Sequence, residues 1–250
     1  MGAKRLLIYG HRGARGEAPE NTLAGFHRAV AAGVVRVELD LRLSRDGELV
    51  VIHDDTVNRT TNGRGAVAQL TAQELARLDA RRGGPDCPTP QPVPTIARVL
   101  DEFPEILHFQ LEAKPVSHAQ RPLMAERLAT LFREHALYQR AIVTSFDAAL
   151  LGAVHDCDGQ IPRGLITDRT RPDPLTLARE LGVELLVLNW KLCTPARIAA
   201  AHASGLPVSA WTVNDEKVVR RLHGHGIDSV VTDYPTRIMA LWLSLRASES

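Results

Sequence analysis

Two acidic residues, two positions apart, are the first sign of a site that could do chemistry. Residues 35–43 alternate between apolar and charged side chains, which is the period of a β-strand and places Glu38 and Asp40 on one face. Their Cα atoms then lie about 7 Å apart, so both carboxylates can bind one divalent cation. A half-exposed surface strand with its acids in water has the same pattern. This stretch alone leaves both interpretations open.

A histidine follows the same strand on a short return. Asp46-Gly47 is a tight-turn signal, and the apolar run after it ends in His53-Asp54. The chain therefore carries two carboxylates outward and brings an imidazole back beside them.

Further polar residues come where other short apolar runs end. The first run ends in His11 and Arg12, the third in Glu112 and Lys114, and the seventh near Trp211. Two of these have a simpler interpretation: Glu112 and Lys114 as a salt bridge, and Trp211 as a core residue. Their joint position at strand ends favours a functional site, because catalytic groups of α/β barrels lie there.

The residue types at these ends suit phosphoryl transfer. Carboxylates such as Glu112 are hard ligands that favour Mg²⁺ or Ca²⁺ over zinc. Histidines exchange protons near neutral pH, and Arg12 offers a fork that fits phosphate. A cation, a pair of proton carriers and positive side chains together stabilise a phosphoryl transition state and protonate a leaving alkoxide.

Eight short apolar runs alternate with eight helical patterns, which predicts a TIM (β/α)8 barrel of the α/β class. An open doubly wound parallel sheet is the alternative. The predicted strands are Leu6–Tyr9, Val35–Leu41, Ile106–Glu112, Ala141–Ser145, Gly164–Thr167, Leu185–Asn189, Val208–Val213 and Ser229–Thr232. The predicted helices cover residues 21–32, 95–102, 119–136, 147–156, 173–181, 195–204, 215–224 and 235–245.

One long segment interrupts this alternation of strands and helices. Residues 55–94 contain one helical pattern, Leu70–Leu78, and a proline-rich extended stretch. We interpret them as a small insertion after the second strand, within a single domain of residues 1–250, on the face that carries the site.

Composition limits the class of protein. A net charge of +1 gives no electrostatic case for binding nucleic acid or an anionic membrane surface. No apolar run approaches the length of a membrane span, and no signal peptide fits the first residues. The three cysteines are widely spaced, which predicts reduced thiols in a cytoplasmic protein. The sequence leaves the oligomeric state open.

An ordered series of motifs resembles the glycerophosphodiester phosphodiesterase family, in its bacterial cytosolic form. His11-Arg12-Gly13 and Pro19-Glu20-Asn21-Thr22 resemble its HRG and PENT signatures. Its ExD, HD and ExK motifs and its two closing motifs are matched in order by Glu38-Leu39-Asp40, His53-Asp54, Glu112-Ala113-Lys114, Trp211-Thr212-Val213-Asn214 and Thr232-Asp233-Tyr234-Pro235.

The resemblance implies a role for each of these residues. Glu38, Asp40 and Glu112 would hold one divalent cation, and His11 and His53 would be the acid–base pair.

Arg12 and Lys114 would hold the phosphodiester, and Trp211 would line the glycerol side. Glu20 would support the metal site or cap the first helix. The substrate would be a small glycerophosphodiester of lipid and glycerol metabolism, cleaved to glycerol 3-phosphate and an alcohol, and the attacking group would be water or the glycerol 2-hydroxyl.

Two other functions fit the same scaffold. A lysophospholipase D or sphingomyelinase D-like enzyme would need an apolar surface for an acyl chain, and residues 55–94 have only scattered apolar side chains. A barrel that only binds phosphodiesters would not need two proton carriers beside a metal.

Overall fold

The computed structural model describes residues 6–249. Eight parallel strands form a closed barrel, in the spatial order β1-β9-β8-β7-β6-β5-β4-β2, and β1 pairs with β2 to complete it. The predicted TIM barrel is therefore confirmed. The strands are β1 (Leu7–His11), β2 (Arg36–Leu43), β3 (Leu49–Val51), β4 (His108–Ala113), β5 (Ala141–Ser145), β6 (Arg163–Thr167), β7 (Leu185–Asn189), β8 (Val208–Trp211) and β9 (Ser229–Thr232).

Helices connect the barrel strands, as the apolar periodicity predicts. They are α1 (Leu23–Ala31), α2 (Ala72–Leu75), α3 (Ile96–Glu102), α4 (Arg121–Glu134), α5 (Ala148–Cys157), α6 (Pro174–Glu180), α7 (Pro195–Ala203), α8 (Glu216–Gly224) and α9 (Pro235–Glu249). None of those within residues 6–249 is both long and apolar enough to cross a membrane.

Local signals in the sequence set the helix ends. The side chain of Thr22 accepts a hydrogen bond from the Gly25 amide at the start of α1, and Asp147 caps α5 in the same way. These caps satisfy backbone amides that have no partner inside the helix. Gly182 follows α6 with a φ of +58°, a conformation that glycine adopts without steric cost. The connections between helices and strands are thus specified locally.

Strand β3 is antiparallel to β2 and lies outside the parallel barrel. The turn between them is the predicted Asp46-Gly47 turn, in which Gly47 has a φ of +77°. The Gly47 amide donates to the Ser44 carbonyl oxygen at 3.1 Å. This hairpin returns the chain to the carboxyl end of β2, and His53 follows two residues after β3.

Residues 52–95 connect the hairpin to α3 and form a small core of their own. Val57, Val67 and Leu75 are buried in this core, beside Val50 of β3. Its helix α2 is shorter than the predicted Leu70–Leu78 pattern, because a capping box of Thr71 and Glu74 starts it and only one turn follows. The apolar residues of the Leu70–Leu78 pattern thus pack within a compact loop.

Candidate active site

Three carboxylates meet at the carboxyl ends of two adjacent strands. Glu38 and Asp40 lie on β2, and Glu112 on β4 is the register partner of Asp40. One oxygen of each lies within 4.8 Å of the others, and all three residues are buried. Burial rules out the surface-strand interpretation. The period-two spacing therefore does bring these acids to one place.

Burial, crowding of the acids and two neighbouring cations together shift the pKa values of these acids in different directions. Burial, together with the charges of Asp40 and Glu112, raises the pKa of Glu38 well above its usual range. Burial and Asp40 likewise raise the pKa of Glu112. Burial would also raise the pKa of Asp40, but Arg12 and Lys114 outweigh it and hold that pKa well below its usual range. The cluster therefore has more buried negative charge than its protein neighbours compensate.

Two cations lie directly against the cluster. Lys114 Nζ is 2.7 Å from Asp40 Oδ1 and also contacts Glu112 Oε1. Arg12 Nε is 3.1 Å from Asp40 Oδ2, and its Nη1 donates to Glu20 Oε1 at 2.7 Å. Both side chains are buried, so each cation is held at the strand ends by carboxylates.

His11 lies at the end of β1, opposite Glu38 of β2 in register. Its Nδ1 is 2.5 Å from Asp233 Oδ1, and its Nε2 is 3.8 Å from Glu38 Oε2. Asn214 donates to the other oxygen of Asp233 at 2.7 Å. Burial lowers the pKa of His11 despite its bond to Asp233. A neutral imidazole with Nδ1–H held by Asp233 presents a free Nε2 to the cluster.

His53 is placed by the return of the hairpin. Arg42 Nε donates to the His53 carbonyl oxygen at 2.7 Å, and the side-chain Nδ1 is 2.7 Å from Asp54 Oδ1. Burial lowers the pKa of His53, while the nearby charge of Asp40 acts to raise it. Both predicted histidines are thus held in the same way, with ring Nδ1 in contact with an aspartate.

Trp211 lies at the end of β8, in register with Asn189 of β7. Its ring meets the ring of Phe146 edge to face, with 5.6 Å between centroids. The indole Nε1 is buried and has no hydrogen-bond partner among the described residues. The half-buried ring offers an apolar surface at the same end of the barrel.

The structure also shows contacts that the sequence analysis did not find. The side chain of Asp233 holds Nδ1 of His11. Asn21 Nδ2 donates to Asp40 Oδ2 at 2.7 Å, and Glu20 binds Arg12 instead of capping a helix. Arg59, in the 52–95 segment, contacts both Glu20 and Asp54. In the sequence, the only signal for Asp233, Asn21 and Glu20 was that each belongs to one of the motifs quoted above. Arg59 belongs to none of these motifs.

Fold and site together define a TIM barrel whose strand ends carry the groups that phosphoryl transfer needs. The sequence profile of the glycerophosphoryl diester phosphodiesterase family matches residues 11–237. The chain belongs to this family, and the predictions of the family and of a phosphodiesterase are confirmed.

Individual relatives align with this chain over most of their length. A glycerophosphodiester phosphodiesterase of Caldanaerobacter subterraneus subsp. tengcongensis is 29% identical over 240 residues, covering 95% of this chain and 98% of the relative. One of Bacillus subtilis is 30% identical, covering 92% and 84%. A phosphodiesterase of Oleispira antarctica, solved in complex with the product sn-glycerol-3-phosphate, has a TM-score of 0.85 at 27% identity and covers 94% of this chain and 96% of that one.

Proposed function

We propose that this protein hydrolyses small glycerophosphodiesters to glycerol 3-phosphate and an alcohol, with a divalent cation as cofactor. The observation that carries the proposal is the buried cluster of Glu38, Asp40 and Glu112, flanked by His11 and His53. The product bound to the Oleispira antarctica relative supports glycerol 3-phosphate as the product here.

The cluster fits a divalent cation on its own chemistry. All its donors are carboxylate oxygens, which suit Mg²⁺ or Ca²⁺. Glu38 Oε1 is buried without a hydrogen-bond partner among the described residues, and an orphaned buried acceptor needs a positive partner. Glu38, Asp40 and Glu112 would hold the ion, which when bound stabilises charge on the phosphate oxygens.

His11 and His53 would exchange the protons of the reaction. One imidazole removes the proton from the attacking oxygen as the new P–O bond forms. The other gives a proton to the leaving alkoxide as the old P–O bond breaks. Asp233 and Asp54 hold Nδ1 of the two rings, so Nε2 is the exchanging atom in each. The attacking oxygen belongs either to water or to the glycerol 2-hydroxyl.

Arg12 and Lys114 would bind the phosphodiester. Both are positively charged at the strand ends, and the Arg fork matches two phosphate oxygens. Trp211 would line the glycerol side, where its ring can cover the carbon chain. Bound in this way, the substrate would have its phosphorus between the two histidines.

The compartment is part of the proposal. Cys87, Cys157 and Cys193 are all free in the structure, which supports a reducing, cytoplasmic location.

A turnover assay tests the function directly. Purified protein is stripped with EDTA, supplied with Mg²⁺ or Ca²⁺ and mixed with glycerophosphocholine or glycerophosphoethanolamine, and glycerol 3-phosphate is followed with a coupled enzyme. We expect release that depends on the added ion. Release from lysophospholipids alone would replace this substrate class, and tight binding of glycerophosphodiesters without turnover would replace the enzyme with a binding protein.

A further inference from the structure

We propose that Arg59 is a positioning residue for His53, acting through Asp54 and anchored to the barrel by Glu20. This inference rests on the proposed function, because it assigns His53 a proton to transfer. It gives the 52–95 segment a role in the reaction, and it names a residue outside every motif that the sequence analysis used.

The contacts form one continuous chain from the barrel to the imidazole. Arg12 Nη1 donates to Glu20 Oε1 at 2.7 Å, and Arg15 Nε lies 3.3 Å from Glu20 Oε2. Glu20 then accepts two bonds from Arg59, at 2.8 and 2.9 Å. Arg59 thereby gains an anchor that is itself held by two other cations. The side chain of Glu20 is only 11% exposed, so this anchor is fixed.

The other edge of the same guanidinium holds Asp54. Arg59 Nε donates to Asp54 Oδ2 at 2.7 Å, and Arg59 Nη2 donates to Oδ1 at 2.9 Å. That Oδ1 is the atom 2.7 Å from His53 Nδ1. Paired bonds between a guanidinium and a carboxylate fix orientation as well as distance. Asp54 therefore cannot rotate without breaking two charged bonds.

The backbone that carries Arg59 is also fixed. The Val57 amide donates to the Gly65 carbonyl at 3.0 Å, and Thr61 Oγ1 donates to the Val57 carbonyl at 2.7 Å. The Val57 side chain is fully buried in the small core of the 52–95 segment. Arg59 thus projects from a rigid turn, and its position depends on the fold of that segment.

Asp54 needs this support because its side chain is 25% exposed. Without Arg59, Asp54 would be free to turn toward solvent and would hold His53 Nδ1 only part of the time. The imidazole would then lose both its fixed plane and its single tautomer. Misplacement of a proton carrier by about 1 Å lowers a rate by about 10²-fold.

Kinetics of Arg59 variants supply the first test. In Arg59→Met we expect kcat to fall about 10²-fold while KM stays within about threefold. Arg59→Lys keeps the charge but not the forked guanidinium, so its kcat should lie between those of the wild type and Arg59→Met. If Arg59→Met does not fold, Arg59→Lys supplies the test. The control is Arg64→Met, which removes an exposed arginine of the same segment and should leave kcat unchanged.

A double-mutant cycle decides whether the effect passes through His53. In a His53→Ala background we expect Arg59→Met to cost less than about threefold. Three results would overturn the positioning role. They are the same loss of kcat in both backgrounds, an unchanged kcat in Arg59→Met, or a rise in KM alone. The last result would make Arg59 a substrate contact.

Long-range ¹H–¹⁵N spectra of the histidine rings give a readout without turnover. We expect His53 to be a single Nδ1–H tautomer in the wild type and in Arg64→Met, and a mixture in Arg59→Met. Identical His53 spectra in all three proteins would overturn the proposal. Because wild-type turnover alone tests the proposed function, the two can fail separately.

Discussion

Asp233 and His11 join the last and first barrel strands in one short hydrogen bond, with 2.5 Å between Oδ1 and Nδ1. The two residues are 222 positions apart in the chain. Asn214 holds the second oxygen of Asp233. This arrangement selects the His11 tautomer whose Nε2 faces Glu38, so the orientation of the imidazole depends on an aspartate from the opposite end of the chain.

Asp233→Asn should therefore impair catalysis more than folding. The amide keeps the size of the side chain but cannot hold Nδ1–H with the same charge, so kcat should fall on the order of 10²-fold or more. The melting temperature is measured alongside. Asp101→Asn, on the exposed face of α3, is the matched control and should have wild-type kcat. Full activity in Asp233→Asn would mean that His11 does not need the carboxylate.

His11→Ala and His53→Ala test the acid–base pair itself. Each change removes one proton carrier, and each should lower kcat on the order of 10²-fold or more. The assay uses saturating glycerophosphodiester and saturating cation, so that binding defects do not contribute. A variant with a rate near wild type would remove that histidine from the mechanism.

Glu38→Gln tests the cation site by binding alone. The substitution is nearly isosteric and removes one of three carboxylate ligands, so the affinity for Mg²⁺ or Ca²⁺ should fall at least about tenfold. Isothermal titration calorimetry on EDTA-stripped protein measures it. Glu126→Gln, an exposed change on α4, should bind as the wild type does. Equal affinity in both variants would show that Glu38 is not a ligand.

His108, at the opposite end of the barrel, predicts a pH dependence of stability. Burial, with a smaller contribution from Arg36, lowers the pKa of His108 to about 4 from its usual 6.5. Its neutral Nδ1 is 3.1 Å from the hydroxyl of Tyr9. Between pH 6.5 and 4 the unfolded chain binds a proton there that the folded chain does not, so acid favours unfolding.

The free energy of unfolding should thus lose up to about 3 kcal/mol from this one group as the pH falls through that window. Above pH 6.5 the contribution is constant. Urea unfolding at pH 7 and pH 4 measures it in the wild type and in His108→Gln. The variant should lose less stability on acidification, while His118→Gln, an exposed control, should lose as much as the wild type. If the wild type and both variants lost the same free energy of unfolding on acidification, His108 would not be the group responsible.

Thiol reactivity should follow burial. Cys157 is exposed, whereas burial raises the pKa of Cys193 to about 12. Since the thiolate is the reactive form, a thiol reagent should modify Cys157 quickly and Cys193 only after denaturation. Three thiols should titrate in denaturant without prior reduction. A count below three would reveal a disulfide and contradict a reducing compartment.

The barrel was predictable from the sequence because its elements are specified locally. Alternating and helical periodicities, proline at helix starts and glycine after helix ends each depend on neighbours within a few residues. Val35–Leu41 and Ala141–Ser145 were predicted within about two residues of the observed strands for this reason. The convergence of Glu38, Asp40 and Glu112 was predictable too, since parallel strand ends share one edge.

The side chains that support the site were not predictable in the same way. Asp233, Glu20 and Arg59 act through contacts between segments far apart in the chain, and no local pattern encodes such a contact. Charged residues like Arg59 are ordinary in a loop. Only the fold of the 52–95 segment, with its own small core, shows that this exposed arginine contacts two carboxylates.

The closure of the barrel has a consequence for protein synthesis. Strand β9 lies between β8 and β1, and Asp233 is the first residue after it. On the ribosome β1, β2 and β4 emerge early, but His11 acquires its aspartate only after residue 233 has left the exit tunnel. A growing chain therefore carries the carboxylates, the arginine and the lysine of the cluster long before it can hold His11 in one orientation.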